Sequence, residues 1–292
     1  MNRWNWDEDS CSAFEHTKRR VRRPRGMRSI RELCVSAEVR AIDDDAPTFA
    51  DPGLEALHEE GLLEELCGQV ASGKEATVYV GRGQDGLLAV KVYKDLHARS
   101  FHGDGVYRDG RFVGGARIEK AIRQRSRTGI DAQQALWVTE EFRQLRALRD
   151  AGVSVPRPIG SAGRVVLMEL IGDEDGPAPR LSEARLTPTE ATEAFSQCVA
   201  NLARIVESGR VHGDYSAHNV LWWKGRAVVI DFPQVVEIHL NAHAEMLLRR
   251  DASSLCASFR RHGVETEPAD VLESVRSGRG WSGRGGIIPT TA

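Results

Sequence analysis

The chain has 292 residues, 41% of them hydrophobic and 28% charged, with a formal net charge of -2 at pH 7. That length accommodates one large domain or two small lobes with tails, and the composition is that of a globular protein. A nucleic-acid binder driven by overall charge is excluded, and no apolar run is long enough to span a bilayer.

The first residues, MNRWNWDEDS, lack the apolar core of a secretory signal, so the expected location is cytoplasmic with no membrane partner. Cys11, Cys34, Cys67, Cys198 and Cys256 show no C-x-x-C spacing, which argues against a zinc site or a disulfide framework. Residues 1–50 read as a largely disordered arm. Within it KRRVRRPRGMR, at 18–28, is strongly basic and suits either nucleic-acid phosphates or solvent.

Asp51-Pro52 then opens LEALHEEGLLEELC, expected to be helical over 51–66 and divided at Gly61. ATVYVG and LLAVKVY read as strands, the second entered from the Asp85-Gly86 turn. Residues 97–130, rich in Gly, Arg, His and Asp, read as containing a mobile loop. An amphipathic helix is expected over 131–150, with Trp137, Phe142, Leu145 and Leu148 on one face. RVVLMELI at 164–171 is a buried-type strand, and a helix over 188–208 starts at Thr187-Pro188. VHGDYSAHNVLWW is a loop running into a short strand. RAVVIDF is a strand that ends on an acid. Two helices are expected near 239–261, and the tail reads as flexible. His239 and His243 are four apart, but no H-E-x-x-H motif accompanies them, so they read as surface residues.

GQVASGKEATVYVG, at 68–81, resembles a Walker A loop as far as Lys74. A Walker loop needs Ser or Thr next and a helix after it. Here Glu75 follows, and Thr77, Val78, Tyr79 and Val80 favour a strand. The remaining readings are a plain turn or a phosphate cover between two antiparallel strands, as in protein kinases. Lys91 lies in the strand LLAVKV and resembles the kinase lysine that holds the α- and β-phosphates. Glu141 on the following helix can pair with it. Glu140 competes, and helical phasing favours Glu141. The segment His212-Gly213-Asp214, with Asn219 five residues beyond the aspartate, keeps the spacing of the kinase catalytic loop H-R-D-x-x-x-x-N. An aspartate there orients or deprotonates the substrate hydroxyl. The asparagine and the later Asp231 suit sparse magnesium ligation.

With these motifs in order, residues 60–265 resemble the RIO family of atypical serine/threonine protein kinases, in particular its RIO1-like branch. The resemblance rests on SGKEATVY, AVKVYK, EEFRQL, MELIGDEDGPAPRL, VHGDYSAHN and IDFPQVVE. It implies an α+β, two-lobed, protein-kinase-like fold: an antiparallel-sheet N-lobe with one main helix, and a reduced, mostly helical C-lobe. The implied layout is a basic arm 1–50, a helical extension 51–66, an N-lobe 67–172 with a flexible loop 97–130, a C-lobe 173–270 and a tail 271–292. The resemblance implies ATP with Mg2+, or Mn2+ in its place, as cofactors. Nucleotide contacts fall to Ser72, Gly73, Lys74, Glu75, Val78, Lys91, Met168, Glu169 and Ile171. Catalytic roles fall to Asp214, Lys91 and Glu141, and metal ligation to Asn219 and Asp231. In relatives the flexible loop can be autophosphorylated, which makes Ser100 a candidate.

The implied activity is transfer of the ATP γ-phosphate to protein Ser/Thr or to the chain itself, with ATPase activity as a variant. One alternative is a nucleotide-switched module on ribosomal precursors that meets RNA through 18–28. Another is a small-molecule phosphotransferase resembling the aminoglycoside kinases, which share H-G-D-x-x-x-x-N but not GKEA or GPAPR.

Overall fold

The computed structural model describes residues 48–73, 75–84, 86–94, 120–122, 124, 126–173 and 176–278. The basic arm, Lys74, most of the 97–130 segment with Ser100, and the last residues of the tail lie outside that set. The described chain divides into two compact units, one comprising 48–94, 120–139 and 158–176, the other 140–157 and 177–278.

The first unit starts with helix α1, Pro52–Glu59, capped by Asp51, whose carboxylate accepts from the N–H groups of Gly53 and Leu54 at 2.9 and 3.2 Å. Asp51 is buried, and its other oxygen takes a 2.6 Å bond from Arg164. The helix is shorter than the expected 51–66 extension. It ends because Gly61 takes φ +73°, after which the N–H groups of Leu62 and Leu63 both turn back to the Leu57 carbonyl. Leu63 is thereby buried with Leu54 and Leu57, and strand β1, Glu65–Ser72, begins.

Strands β1, β2 (Ala76–Gly83), β3 (Gly86–Tyr93), β4 (Pro158–Ala162) and β5 (Val165–Glu169) form an antiparallel sheet in the order β1-β2-β3-β5-β4. Helix α1 covers one face, where Tyr79, Leu88, Val90, Val92, Val165 and Leu167 join its leucines in one core. Each such side chain contributes about 1.5–3 kcal/mol on burial. Gly53 permits the close approach of α1, since a Cβ there would stand 2.5 Å from the Ala162 carbonyl oxygen. Side chains alternate across a strand, so the residues between these core positions face the other way. The register aligns Val78 with Lys91 and Val166, and Val80 with Ala89 and Met168.

Helix α2 runs over Arg127–Asp150 and starts earlier than expected. Its buried positions include Val138, Glu141, Gln144, Leu145 and Leu148, while Trp137 and Phe142 are half-buried. A carboxylate thus sits on the apolar stripe. Strands β6 (Gly172–Asp173) and β7 (Gly176–Pro177) form a short pair.

In the second unit, helix α3 (Pro188–Glu207) begins with a capping box between Thr187 and Glu190. Its face of Ala191, Ala194, Phe195, Cys198, Val199, Leu202 and Ile205 is buried. Asn201 on that face is satisfied, accepting from Ser154 N–H and donating to the Ala227 carbonyl. Two small antiparallel pairs follow: β8 (Arg210–Val211) with β11 (Val236–Glu237), and β9 (Val220–Trp223) with β10 (Arg226–Val229). The β9–β10 turn uses Lys224 and Gly225, both at positive φ, as a two-residue hairpin loop requires.

Helix α4 (Ala244–Arg260) packs on α3 partly through an edge-to-face Phe195–Phe259 contact at 5.2 Å, and helix α5 (Pro268–Ser277) completes the unit. The expectation of two helices near 239–261 is corrected: α4 is the one helix in that stretch. The second helix lies where the flexible tail was expected to begin, with Val271, Leu272 and Val275 buried. Gly263, at φ +77°, breaks the chain after α4, and Pro268 opens α5.

Candidate active site

Strands β1 and β2 place the 72–77 segment at a hairpin tip, as expected of a strand-flanked cover. The Gly73 N–H donates to the Ala76 carbonyl at 2.9 Å, and Ser72 Oγ lies 3.4 Å from Thr77 Oγ1. Ser72 and Gly73 are exposed, and Glu75 is half-buried. Val78, Lys91 and Met168 come to the sheet face opposite the α1 core, as the register requires. Lys91 is only 9% exposed and sets its ammonium 5.2 Å from the centre of the Tyr93 ring. Glu169, at the end of β5, and Ile171 just beyond it are half-buried.

In the second unit, Glu140 and Glu141 have different surroundings. Glu140 takes two bonds from Arg143 and one from Gln144 Nε2, and Arg143 also reaches Glu237. Glu140 raises the Arg143 guanidinium pKa, so this is a semi-exposed ion-pair network. Glu141 is 1% exposed.

The loop 211–219 is held by polar groups of α4, of which Asp251 is buried. Asp251 of α4 accepts from the N–H groups of Gly213 at 2.8 Å and Tyr215 at 2.9 Å. Arg250 donates to the Gly213 carbonyl, and Ser258 Oγ accepts from the Ala217 N–H. The Tyr215 ring is fully buried and its hydroxyl donates to the Cys198 carbonyl at 2.9 Å. Burial pushes the Cys198 thiol up to about 12, which makes it an inert core residue. His212 is also fully buried and packs edge-on against Tyr215 and Phe232. Gly213 takes φ +81°. A β-carbon is unfavourable in that left-handed region, which favours glycine at this position.

These anchors leave Asp214 exposed at the loop's apex. Asn219 Nδ2 donates to the Asp214 carbonyl at 2.9 Å and to its Oδ2 at 2.8 Å. Both amide protons face Asp214, so the Asn219 Oδ1 is turned elsewhere as an acceptor. The Asn219 carbonyl accepts from Ile230 N–H at 2.9 Å, which fixes the strand leading to Asp231 beside the loop. Strand β10 stops at Val229, two residues short of the expected acid, and Asp231 is exposed at φ +71°. A non-glycine residue in that conformation stores about 1–2 kcal/mol of strain, a feature concentrated at functional positions. No cluster of three His, Cys, Asp or Glu side chains suited to a metal occurs among the described residues. Asn219 and Asp231 supply hard oxygens in small number, which fits Mg2+ that takes its other ligands from phosphate and water.

A family model described as the RIO domain matches residues 77–272. The chain belongs to the RIO family of atypical serine/threonine protein kinases. It is 33% identical over 288 residues to the RIO-type serine/threonine-protein kinase Rio1 of Haloferax volcanii, across 96% of this chain and 93% of that protein. It is 31% identical over 212 residues to human serine/threonine-protein kinase RIO1, but the match spans only 35% of the human protein. The crystal structure of the Rio2 kinase–ADP/Mg2+–phosphoaspartate complex from Chaetomium thermophilum superposes with a TM-score of 0.56 at 22% identity. That alignment covers 80% of this chain and 66% of that one. The likeness extends the kinase-like α+β fold to this RIO member.

Sequence reasoning missed Asp251. Its signal was present: the apolar spacing Leu247, Leu248, Ala252, Leu255, Phe259 of α4 has Asp251 on the same buried face. A lone acid in such a stripe needs hydrogen-bond donors from elsewhere. Trp222 is buried in β9, while Trp223 is half-buried with the Lys224 ammonium 5.0 Å from its ring. His239 and His243 are exposed.

Proposed function

We propose that this RIO protein transfers the γ-phosphoryl group of ATP to a serine or threonine hydroxyl of a protein substrate, with Asp214 as the catalytic carboxylate. The observation that carries this reading is the built catalytic loop, in which Asp214 is exposed and oriented by Asn219 while Asp251 fixes the backbone on both sides of it. In the proposed step the substrate oxygen attacks the γ-phosphorus, its proton passes to Asp214, and the bond to the ADP oxygen breaks. Lys91 steadies the α- and β-phosphates, and buried Glu141 is assigned to orient it in preference to Glu140. Ser72, Gly73, Lys74 and Glu75 cover the phosphates, while Val78, Met168, Glu169 and Ile171 line the base. Asn219 and Asp231 hold Mg2+, which when bound neutralises charge on the transferring group. Mn2+ has the same oxygen preference and is expected to substitute.

Relatives named as serine/threonine kinases support this reading, and none of them supports the small-molecule phosphotransferase. A phosphoaspartate in the Chaetomium Rio2 structure raises the second reading, an ATPase switch in which an aspartate of the site accepts the phosphoryl group. The basic run 18–28 suits an RNA-rich partner for such a switch. Incubation with γ-labelled ATP and Mg2+, followed by chemical mapping of the label, separates the two. Acid-stable phosphoserine or phosphothreonine supports the kinase. An alkali- and hydroxylamine-labile acyl phosphate as the sole product supports the switch. No helix among the described residues is long and apolar enough to cross a membrane.

A further inference from the structure

Lys94, the last residue of the AVKVYK motif, has an unusually well-fixed base. Its N–H donates to the Glu75 carbonyl at 2.9 Å, and its own carbonyl accepts from Gln134 Nε2 of α2 at 3.0 Å. The preceding residue is tied as firmly: Tyr93 N–H donates to the Arg164 carbonyl at 2.9 Å, and Arg164 Nη1 returns a bond to the Tyr93 carbonyl at 3.3 Å. From this base the side chain crosses to the β1–β2 tip. Its Nζ donates to the Gly73 carbonyl at 2.6 Å and to Ser72 Oγ at 3.0 Å.

Ser72 and Gly73 are exposed, so no apolar anchor packs there. The Gly73 N–H bond to the Ala76 carbonyl and the 3.4 Å contact of Ser72 Oγ with Thr77 Oγ1 also hold the turn. Bonds from an ammonium are roughly twice as strong as neutral ones. Lys94 also uses Ser72 Oγ as an acceptor, so the Ser72 proton points away from Nζ and remains able to donate.

We propose that Lys94 is a positioning residue for the nucleotide loop. Its ammonium pins Ser72 and Gly73 in the conformation that receives phosphate before nucleotide arrives, and so reduces the ordering cost of binding. This inference rests on the kinase reading and adds to it a residue that acts through the loop. Because Lys94 acts on the loop and not on the transferring phosphoryl group, its removal should weaken ATP binding more than it slows the chemical step.

The test uses the full-length chain with Lys94→Met and Lys94→Arg. Amide hydrogen exchange over 72–77 is measured without nucleotide, ADP affinity by calorimetry, and kcat and KM by steady-state assay. Lys94→Met should speed exchange in that segment by roughly tenfold while α1 stays protected. It should also raise the ADP Kd and the KM for ATP by about tenfold with kcat within about twofold. Lys94→Arg should restore both to within about threefold. Unchanged exchange in Lys94→Met overturns the clamp. Faster exchange with unchanged Kd and KM overturns the positioning role, as does a loss confined to kcat. If Lys94→Met does not fold, Lys94→Gln keeps a donor without the charge, and wild-type exchange and affinity in that variant would equally overturn the role of the ammonium. A wild-type chain that neither binds nor turns over ATP refutes the kinase reading itself. That result appears before any substitution is made, so it is distinguishable from failure of the clamp.

Discussion

Replacing Asp251 by alanine tests how the catalytic loop is supported. The substitution removes two bonds to a buried carboxylate, from Gly213 N–H at 2.8 Å and Tyr215 N–H at 2.9 Å. Hydrogen bonds to charged groups contribute about 1.5–3 kcal/mol each, so the gross loss is about 3–6 kcal/mol. Release of the carboxylate from burial offsets part of that, leaving a net loss of about 3 kcal/mol. Asparagine can accept only one of the two bonds and should cost roughly half as much as alanine. The assay is urea unfolding of the full chain at pH 7, paired with kcat, which should fall because Asp214 lies between the two released amides. A loss below about 1 kcal/mol for Asp251→Ala would refute the reasoning, since at least one buried donor would then have found another partner.

The same carboxyl predicts a pH dependence. Burial pushes the Asp251 pKa above its ordinary 3.8, against the opposing pull of His212, the Tyr215 and Gly213 amides and Arg250. A carboxyl with a raised folded-state pKa holds its proton more tightly in the folded chain than in the unfolded one. The unfolded state therefore binds fewer protons between the two pKa values, and this group's contribution to stability falls as pH rises through that window. Asp251→Asn lacks the titration, so the wild-type advantage over it should shrink from about pH 4 upward. A widening advantage would contradict the direction of the shift.

Five further substitutions probe the site. Gly213→Ala forces a β-carbon into φ +81° and should cost about 1–2 kcal/mol while lowering kcat; unfolding and turnover equal to wild type would show that the loop tolerates it. Lys91→Met and Glu141→Gln should lower kcat/KM by about a hundredfold and tenfold, whereas Glu140→Ala, in its semi-exposed pair with Arg143, should stay within about threefold. A larger loss at Glu140 than at Glu141 would reverse their roles. Asp231→Asn should raise the Mg2+ concentration for half-maximal activity by roughly tenfold, and an unchanged metal titration would remove it from the ligand set.

What was legible in the sequence tracks how locally each function is encoded. The closeness of Asp214 and Asn219 could be read because both lie within one short loop, and the shared face of Val78, Lys91 and Met168 because strand alternation fixes it. The segment LEELC was not legible. Its leucines suit a helix or a strand, and the decision came from Gly61 reversing the chain and from burial of Leu63. Helix α5 was lost to its nearness to a Gly-rich tail, although Pro268 and the spacing of Val271, Leu272 and Val275 were visible. Asp251 and Lys94 were missed for one reason: each acts on backbone groups distant in sequence, and no local pattern records such a partner.

The central claim is that Asp214 performs phosphoryl transfer, and Asp214→Asn tests it most directly. Asparagine keeps an oxygen that can accept from Asn219 Nδ2, now 2.8 Å from Asp214 Oδ2, so the loop should persist while the proton acceptor is lost. With γ-labelled ATP, Mg2+ and the full chain, wild type should incorporate label on serine or threonine. Asp214→Asn should lose at least about a hundredfold in rate while binding ATP within about threefold of wild type. Label incorporation by Asp214→Asn at the wild-type rate would contradict the account.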